Sequence, residues 1–415
     1  MIGRTGVALA ACLGAADAWA HHGIANFDMN REVAVEGVIT DIAFINPHSW
    51  LYFDVRAEDG SIQHWKCELR GGTVLRRSGW SPEMFVIGST VKVTGAPDRF
   101  EPHTCYTGTI VLADGRSMDR YGQLAEAPKP PPVERPLRRP TGEPNLAGDW
   151  APEQRVMTDP RGISGALLPV SVVRGLEPGE LPDGVRPFPG ARGTPESLAP
   201  DAIRAAWTRP SPVTLTEAGR RAIEGFDPSS RDNPRLRCEP TNIIFDWTFE
   251  QLVNRITQEP DRIRIQYGAV GIDRTIHLSM SEHPADIEPS VTGHSIGWWE
   301  GDVLVVDTVG FAPGILSADA RVPHSAELHV VERFTLSEDG RAITREYVAE
   351  DPLYFEGQYR GRDTVYVADL PYETPSCDDR SYVTPDDESA PASAEPAASE
   401  PAPTPPSKPW WKFWD

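Results

Sequence analysis

The chain has 415 residues, enough for two ordinary domains with tails. Its formal charge of −21, with acids spread along the whole length, excludes nucleic acid and anionic lipid as natural partners and favours neutral, cationic or metallic ones. Beyond residue 20 no apolar run approaches the ~20 residues that a membrane-spanning helix needs.

The first segment predicts a secretory signal peptide over 1–20. Arg4 is its charged end, Val7 to Ala16 its apolar run, and Ala18-Trp19-Ala20 its small-x-small cleavage site. The expected location is periplasmic or secreted. A rival processing signal overlaps it: Leu9-Ala10-Ala11-Cys12 has the form of a lipoprotein box, which would lipidate Cys12 and leave the following histidines internal. The apolar run before Cys12 is short for that, so cleavage after Ala20 ranks first.

Such cleavage makes His21 the first residue and His22 the second. An α-amino group titrates near ~8 and forms a chelate ring with its own imidazole, a donor pair that suits copper(II) better than nickel or zinc. The competing reading is a frayed chain start with no ligand. Metal-ligand candidates are His21, His22 and His48, with copper as the expected cofactor. His48 follows Pro47 in a turn at a strand mouth. His103, near Cys105, is a weaker candidate, and His64 beside Trp65 reads as a surface or core residue.

Loss of Cys12 leaves four cysteines, an even count that in an exported chain predicts disulfides. Pairing Cys67 with Cys105 and Cys238 with Cys377 keeps each bridge inside one domain. No C-x-x-C spacing supports a thiolate metal site.

From 21 to 122 short alternating runs predict five strands, Val33–Phe44, Trp50–Ala57, Ile62–Leu69, Thr90–Gly95 and Tyr106–Leu112, with a short helix or two between Gly72 and Phe85. Three strands, a helix and two strands is the order of an OB-type barrel. The usual oligonucleotide role of that fold is disfavoured, because the segment is slightly acidic and has no basic stripe. A proline-crowded stretch over 123–144 reads as a stiff linker.

The second domain is expected over 145–380. Its first part is rich in Pro and Gly, a helix is predicted at Thr216–Glu224, and about eight strands follow between Thr248 and Val367. These predict an all-β chain in which the OB-like barrel precedes a lipocalin-like antiparallel barrel, whose interior would suit one small hydrophobic ligand.

Candidate chemistry in this domain rests on His283, Asp286, His294, His324 and Glu327. His294 and His324 are the expected catalytic pair, as general base and acid at one barrel mouth, with metal binding the other reading and loop pinning the bland one. Asp302 and Asp307 read as turn former and strand-end cap. No Gly-x-Ser-x-Gly elbow supplies a nucleophile. The stretch 381–415 is too poor in apolar residues to order itself, yet it ends with Trp410, Trp411 and Trp414, which predict docking to a membrane interface or a partner protein.

Together His21-His22-Gly23, Asn46-Pro47-His48-Ser49-Trp50, Arg76-Arg77-Ser78-Gly79-Trp80 and Leu112-Ala113-Asp114-Gly115-Arg116 resemble a family of exported bacterial proteins of unknown function. That resemblance implies an opening with two histidines just after the leader and an Asn-Pro-His ahead of an aromatic residue. Gly23 stands where the family more often has Ser. The second domain, through Gly293-His294-Ser295-Ile296-Gly297-Trp298-Trp299-Glu300-Gly301-Asp302, resembles uncharacterised exported bacterial proteins, in which a polar residue usually occupies the place of Trp298. Neither likeness implies an established activity. The leading functional expectation is an exported metal-handling protein with an amino-terminal copper site and a small-ligand barrel. The alternatives are an enzyme, either a copper oxidoreductase or an isomerase or hydrolase of a hydrophobic molecule, and a structural envelope protein.

Overall fold

Alternation of buried and exposed residues closes the first barrel. In β1 (Val33–Ala43) positions Val33, Val35, Gly37 and Ile39 face inward between exposed Ala34, Glu36 and Val38, and a bulge after Ile39 shifts the phase so that Asp41 is exposed and Ile42 packs against the core. The computed structural model describes residues 27–374 except 126, 133–134, 162–165, 178–179, 183–210 and 229–231. The expected copper ligands His21 and His22, the cysteine Cys377 and the tail tryptophans Trp410, Trp411 and Trp414 lie outside the described residues.

β1 pairs with β2 (Trp50–Arg56) and β4 (Thr90–Pro97), β2 with β3 (Ile62–Glu68), and β4 with β5 (Thr104–Leu112). A parallel contact between β3 and β5 shuts the ring, with the helix Gly72–Arg77 between β3 and β4 as an OB-type order requires. The Cys67–Cys105 disulfide sits on that closure, where the two residues are register partners 4.5 Å apart at Cα. The core holds Leu51, Phe53, Leu69, Leu75, Val91, Val93 and Ile110. Gly95 is required where β4 bends over β5, since a Cβ there would stand 2.1 Å from the Tyr106 carbonyl oxygen. β6 (Ser117–Asp119) extends the sheet beyond β5.

The second barrel is closed and has nine strands: β7 (Gly148–Pro152), β11 (Asn254–Gln258), β12 (Arg262–Gln266), β13 (Asp273–His277), β14 (His294–Glu300), β15 (Val303–Val309), β18 (His329–Leu336), β19 (Ala342–Glu350) and β21 (Tyr359–Val367). Small hairpins flank it, β8 (Arg155–Met157) with β9 (Leu167–Pro169) and β16 (Gly314–Ser317) with β17 (Val322–His324). β10 (Thr214–Leu215) pairs with β20 (Phe355–Glu356) ahead of the helix Glu217–Ala222.

Three details depart from the simple meander that alternation predicts. β7, from the opening of the second domain, closes the ring between β21 and β11. The strand expected from Thr248 begins only at Asn254, because Phe249–Gln251 make a 3-10 turn. β13 and β14 run parallel, with the long loop 278–293 carrying the chain back over the wall between them.

The barrel interior is occupied by the protein's own side chains. Arg274, Arg345 and Glu332 are fully buried at its centre with Tyr267, Ser295 and Thr308. The turn after Thr241 lies against them: Arg345 donates to the carbonyls of Ile243 (2.9 Å) and Ile244 (2.8 Å), and Trp247 packs edge-on against Tyr267 and Phe334. Apolar residues including Ile256, Ile263, Ile276, Leu304, Val306, Val330 and Val365 fill the rest.

The two barrels are joined by Arg77. Its buried guanidinium donates to Asp369 Oδ1 (2.6 Å), the Gln251 carbonyl (2.5 Å) and the Pro152 carbonyl (3.2 Å). Arg138, from the proline-rich segment, forms a two-point pair with Asp302 at 2.8 and 2.6 Å, so the predicted turn former also fastens that segment to the second barrel.

Candidate functional site

His48 and Glu68 meet at one end of the first barrel. The turn before β2 is pinned to the helix by Asn46, whose amide donates to Thr73 Oγ1 (3.1 Å) and accepts from the Thr73 backbone N–H (3.2 Å). His48 then lies with Nδ1 3.2 Å from Glu68 Oε2 at the last residue of β3. Glu68 is buried and its other oxygen receives Arg120 Nη2 at 2.8 Å. Burial alone would raise this carboxyl, but His48 and Arg120 outweigh it and hold the pKa at about 2.

A line of contacts leads from there to the first described residue. The Arg120 guanidinium lies 3.6 Å over the Tyr106 ring, Tyr106 bonds Tyr121 hydroxyl to hydroxyl (3.0 Å), and Phe27 packs on Tyr106 with ring centres 5.4 Å apart. Phe27 is five residues beyond His22. The other first-barrel histidines are engaged elsewhere: His103 packs against Trp65 at 5.3 Å, and exposed His64 bonds Asp54 across the strands at 2.7 Å.

The second cluster is on the outer wall of the second barrel. Leu304, Val306 and Thr308 of β15 face inward, so Val303, Val305 and Asp307 face out. Register places His277, His294 and His329 on that outer face too, from β13, β14 and β18. The loop 278–293 brings His283 onto them. It is anchored by the bond of Ser290 N–H to the Gly310 carbonyl and of Ala312 N–H to the Ser290 carbonyl.

Asp307 is the hub. Its Oδ1 lies 2.9 Å from His283 Nε2 and its Oδ2 2.9 Å from His329 Nε2. Burial raises this carboxyl, yet the two histidines outweigh that and bring it to about 2. His283 Nδ1 is 2.8 Å from His294 Nδ1, and the His277 ring stacks on His294 with 5.0 Å between centres. Partial burial, then the neighbouring His283 and His277, lower the His294 pKa and keep its ring neutral.

The expected pair of His294 and His324 is not brought together by any hydrogen bond or ring contact among the described residues. His324 is buried in β17, its Nδ1 donates to the Ser325 carbonyl (3.2 Å), and its ring meets Phe311. Glu327 closes a turn through its N–H on Ser325 Oγ at 3.0 Å, and Asp286 is exposed in the loop. Sequence reading passed over His277 and His329 and treated Asp307 as a cap. The available signal was parity: His277, His294, Asp307 and His329 all sit at outward positions on strands that become neighbours. Among the described residues, no group of three or more His, Cys, Asp or Glu is placed to hold a metal ion.

Residues 9–105 match a family of unknown function (DUF6152). The match spans less than a quarter of the chain, covers His21, His22, His48 and Glu68, and ends at Cys105. No curated protein and no solved structure matches the chain.

Proposed function

We propose that this is an exported, periplasmic or secreted metal-handling protein that binds copper(II) through the amino group and imidazole of His21, with His48 and, in support, His22. The observation that carries the reading is the buried carboxylate behind His48. Metal-binding histidines commonly give one ring nitrogen to a carboxylate, which sets the tautomer and orients the other nitrogen toward the ion. Glu68 stands in that position on His48 Nδ1, which makes Nε2 the nitrogen through which the ring would bind the ion. Chain length is compatible with this: five residues from His22 to Phe27 span up to ~17 Å when extended, and Phe27 connects to His48 through Tyr106, Arg120 and Glu68. The likeness of both halves to exported bacterial proteins and the signal-like leader support the location. A ligand-binding role for the second barrel draws no support from an interior so full.

Isothermal titration with copper(II) on protein starting at His21 tests the proposal. One equivalent is expected to bind, more weakly by at least tenfold in His48→Ala and in protein carrying one extra Ala before His21. Unchanged affinity in the extended protein overturns the chelate, and unchanged affinity in His48→Ala removes the barrel from the site.

A further inference from the structure

Four histidines and one aspartate on the outer wall of the second barrel have an order to their hydrogen bonds that metal chemistry does not need and base catalysis does. Ionised Asp307 can only accept, so His283 Nε2 must be the donor to Oδ1. In a neutral ring His283 Nδ1 is then the acceptor. The proton in the 2.8 Å contact therefore belongs to His294 Nδ1, and the Nε2 lone pair of His294 faces outward. Among the described residues that nitrogen has no hydrogen-bond partner; the ring is held only by the bond to His283 and by stacking on His277. His329 binds the second oxygen of Asp307 and stops the carboxylate from turning.

We propose that Asp307, His283 and His294 form a general-base site, separate from the copper site, in which His294 Nε2 activates water against the carbonyl group of a small neutral ester. The step balances within these groups. His294 Nε2 takes a proton from water as the water oxygen bonds to the carbonyl carbon, and the Nδ1 proton of His294 passes to His283 Nδ1. The positive charge then rests on His283, against the Asp307 carboxylate. Collapse of the tetrahedral adduct breaks the bond to the leaving oxygen, which takes the proton from His294 Nε2 while His283 Nδ1 returns the relayed proton to His294 Nδ1. The neutral state of His294 near pH 7 favours this role, since a protonated ring has no lone pair to offer. The charged and titratable groups facing His294 are His277 from β13, His283 from the loop and, through His283, Asp307 from β15 with His329 from β18. Exposed Glu282, Asp286 and Glu288 on the same loop add negative charge, which disfavours anionic substrates.

Two measurements on the full mature protein test this. The first is hydrolysis of p-nitrophenyl acetate, a neutral ester, against p-nitrophenyl phosphate, an anionic one. The acetate is expected to be cleaved with a rate that rises as His294 loses its proton, roughly 10²-fold slower in His294→Ala and at least tenfold slower in His283→Ala and Asp307→Asn. The phosphate should stay intact. Equal acetate rates in wild type and His294→Ala overturn the site, and cleavage of the phosphate overturns the substrate class. The second measurement needs no variant to fold: nitrogen-15 NMR of the wild-type imidazoles should show His294 with its proton on Nδ1 and a bare Nε2. A proton on His294 Nε2 at neutral pH refutes the relay.

Discussion

Arg274 Nη2 donates to Glu332 Oε2 at 2.7 Å in the centre of the second barrel, where Arg274 is 1% and Glu332 0% exposed. Arg345 bonds the other Glu332 oxygen at 3.2 Å and continues to Asp363. One carboxylate thus lies between two buried guanidinium groups, with Asp363 balancing the second. Removing one member of such an array is costly because the remaining charges stay buried.

Glu332→Ala is therefore expected to lower the unfolding free energy by about 3–5 kcal/mol. Urea denaturation followed by tryptophan fluorescence measures this. A loss under ~1 kcal/mol would mean that water or a neighbouring group readily replaces Glu332.

Arg77→Ala should loosen the joint between the barrels. It leaves Asp369 and the Gln251 and Pro152 carbonyls without their shared donor. The expected cost is about 3 kcal/mol, and calorimetry should resolve two thermal transitions in the variant against one expected for the wild type. A single transition at unchanged temperature would show that the barrels do not depend on this residue for coupling.

Asp246 gives the second barrel a pH dependence of unusual sign. Its buried side chain accepts the Thr241 and Asn242 backbone N–H groups at 2.6 and 3.2 Å, while its other oxygen has no hydrogen-bond partner among the described residues. Burial outweighs those bonds and raises the pKa to about 6 from 3.8. The folded state thus holds this proton more tightly than the unfolded one. The group's contribution is complete below pH ~4 and is lost as pH rises through about 6, an effect of about 3 kcal/mol. Asp246→Asn keeps an accepting oxygen and removes the titration. Stability between pH 4 and 7 should fall less in that variant, and identical profiles would exclude Asp246 as the cause.

Replacing both Cys67 and Cys105 by Ser opens a loop of 38 residues' separation. In the chain-entropy model this costs about 4 kcal/mol, and the first barrel should lose most of it. A non-reduced digest also checks the second expected bridge. Cys238 is disulfide-bonded, and Cys377 should appear as its partner.

Alternation and turn residues were enough to read both barrels from the sequence, because a two-sided strand must expose one face and bury the other whatever its neighbours are. The five strands of the first barrel and most of the second lie within a few residues of where that pattern puts them, and Cys67 with Cys105 followed from keeping each bridge in one domain. The position of His48 in the turn ahead of β2 was legible as well, since a proline turn at a strand mouth is a local feature.

The partners of these residues were not legible. Glu68 looks like any strand-end acid until the turn before β2 brings His48, and the end of β6 brings Arg120, to its two oxygens. Thr248 to Asn254 has strand composition, but its first half turns aside as the preceding residues enter the barrel and satisfy Arg345 with backbone carbonyls. His277 and His294 become neighbours only because β13 and β14 run parallel, and His283 reaches them only because the intervening loop crosses the outer wall. Periodicity along one strand specifies which face a side chain takes. Which other strand lies beside that face depends on long-range pairing, and that choice assembled the histidine cluster.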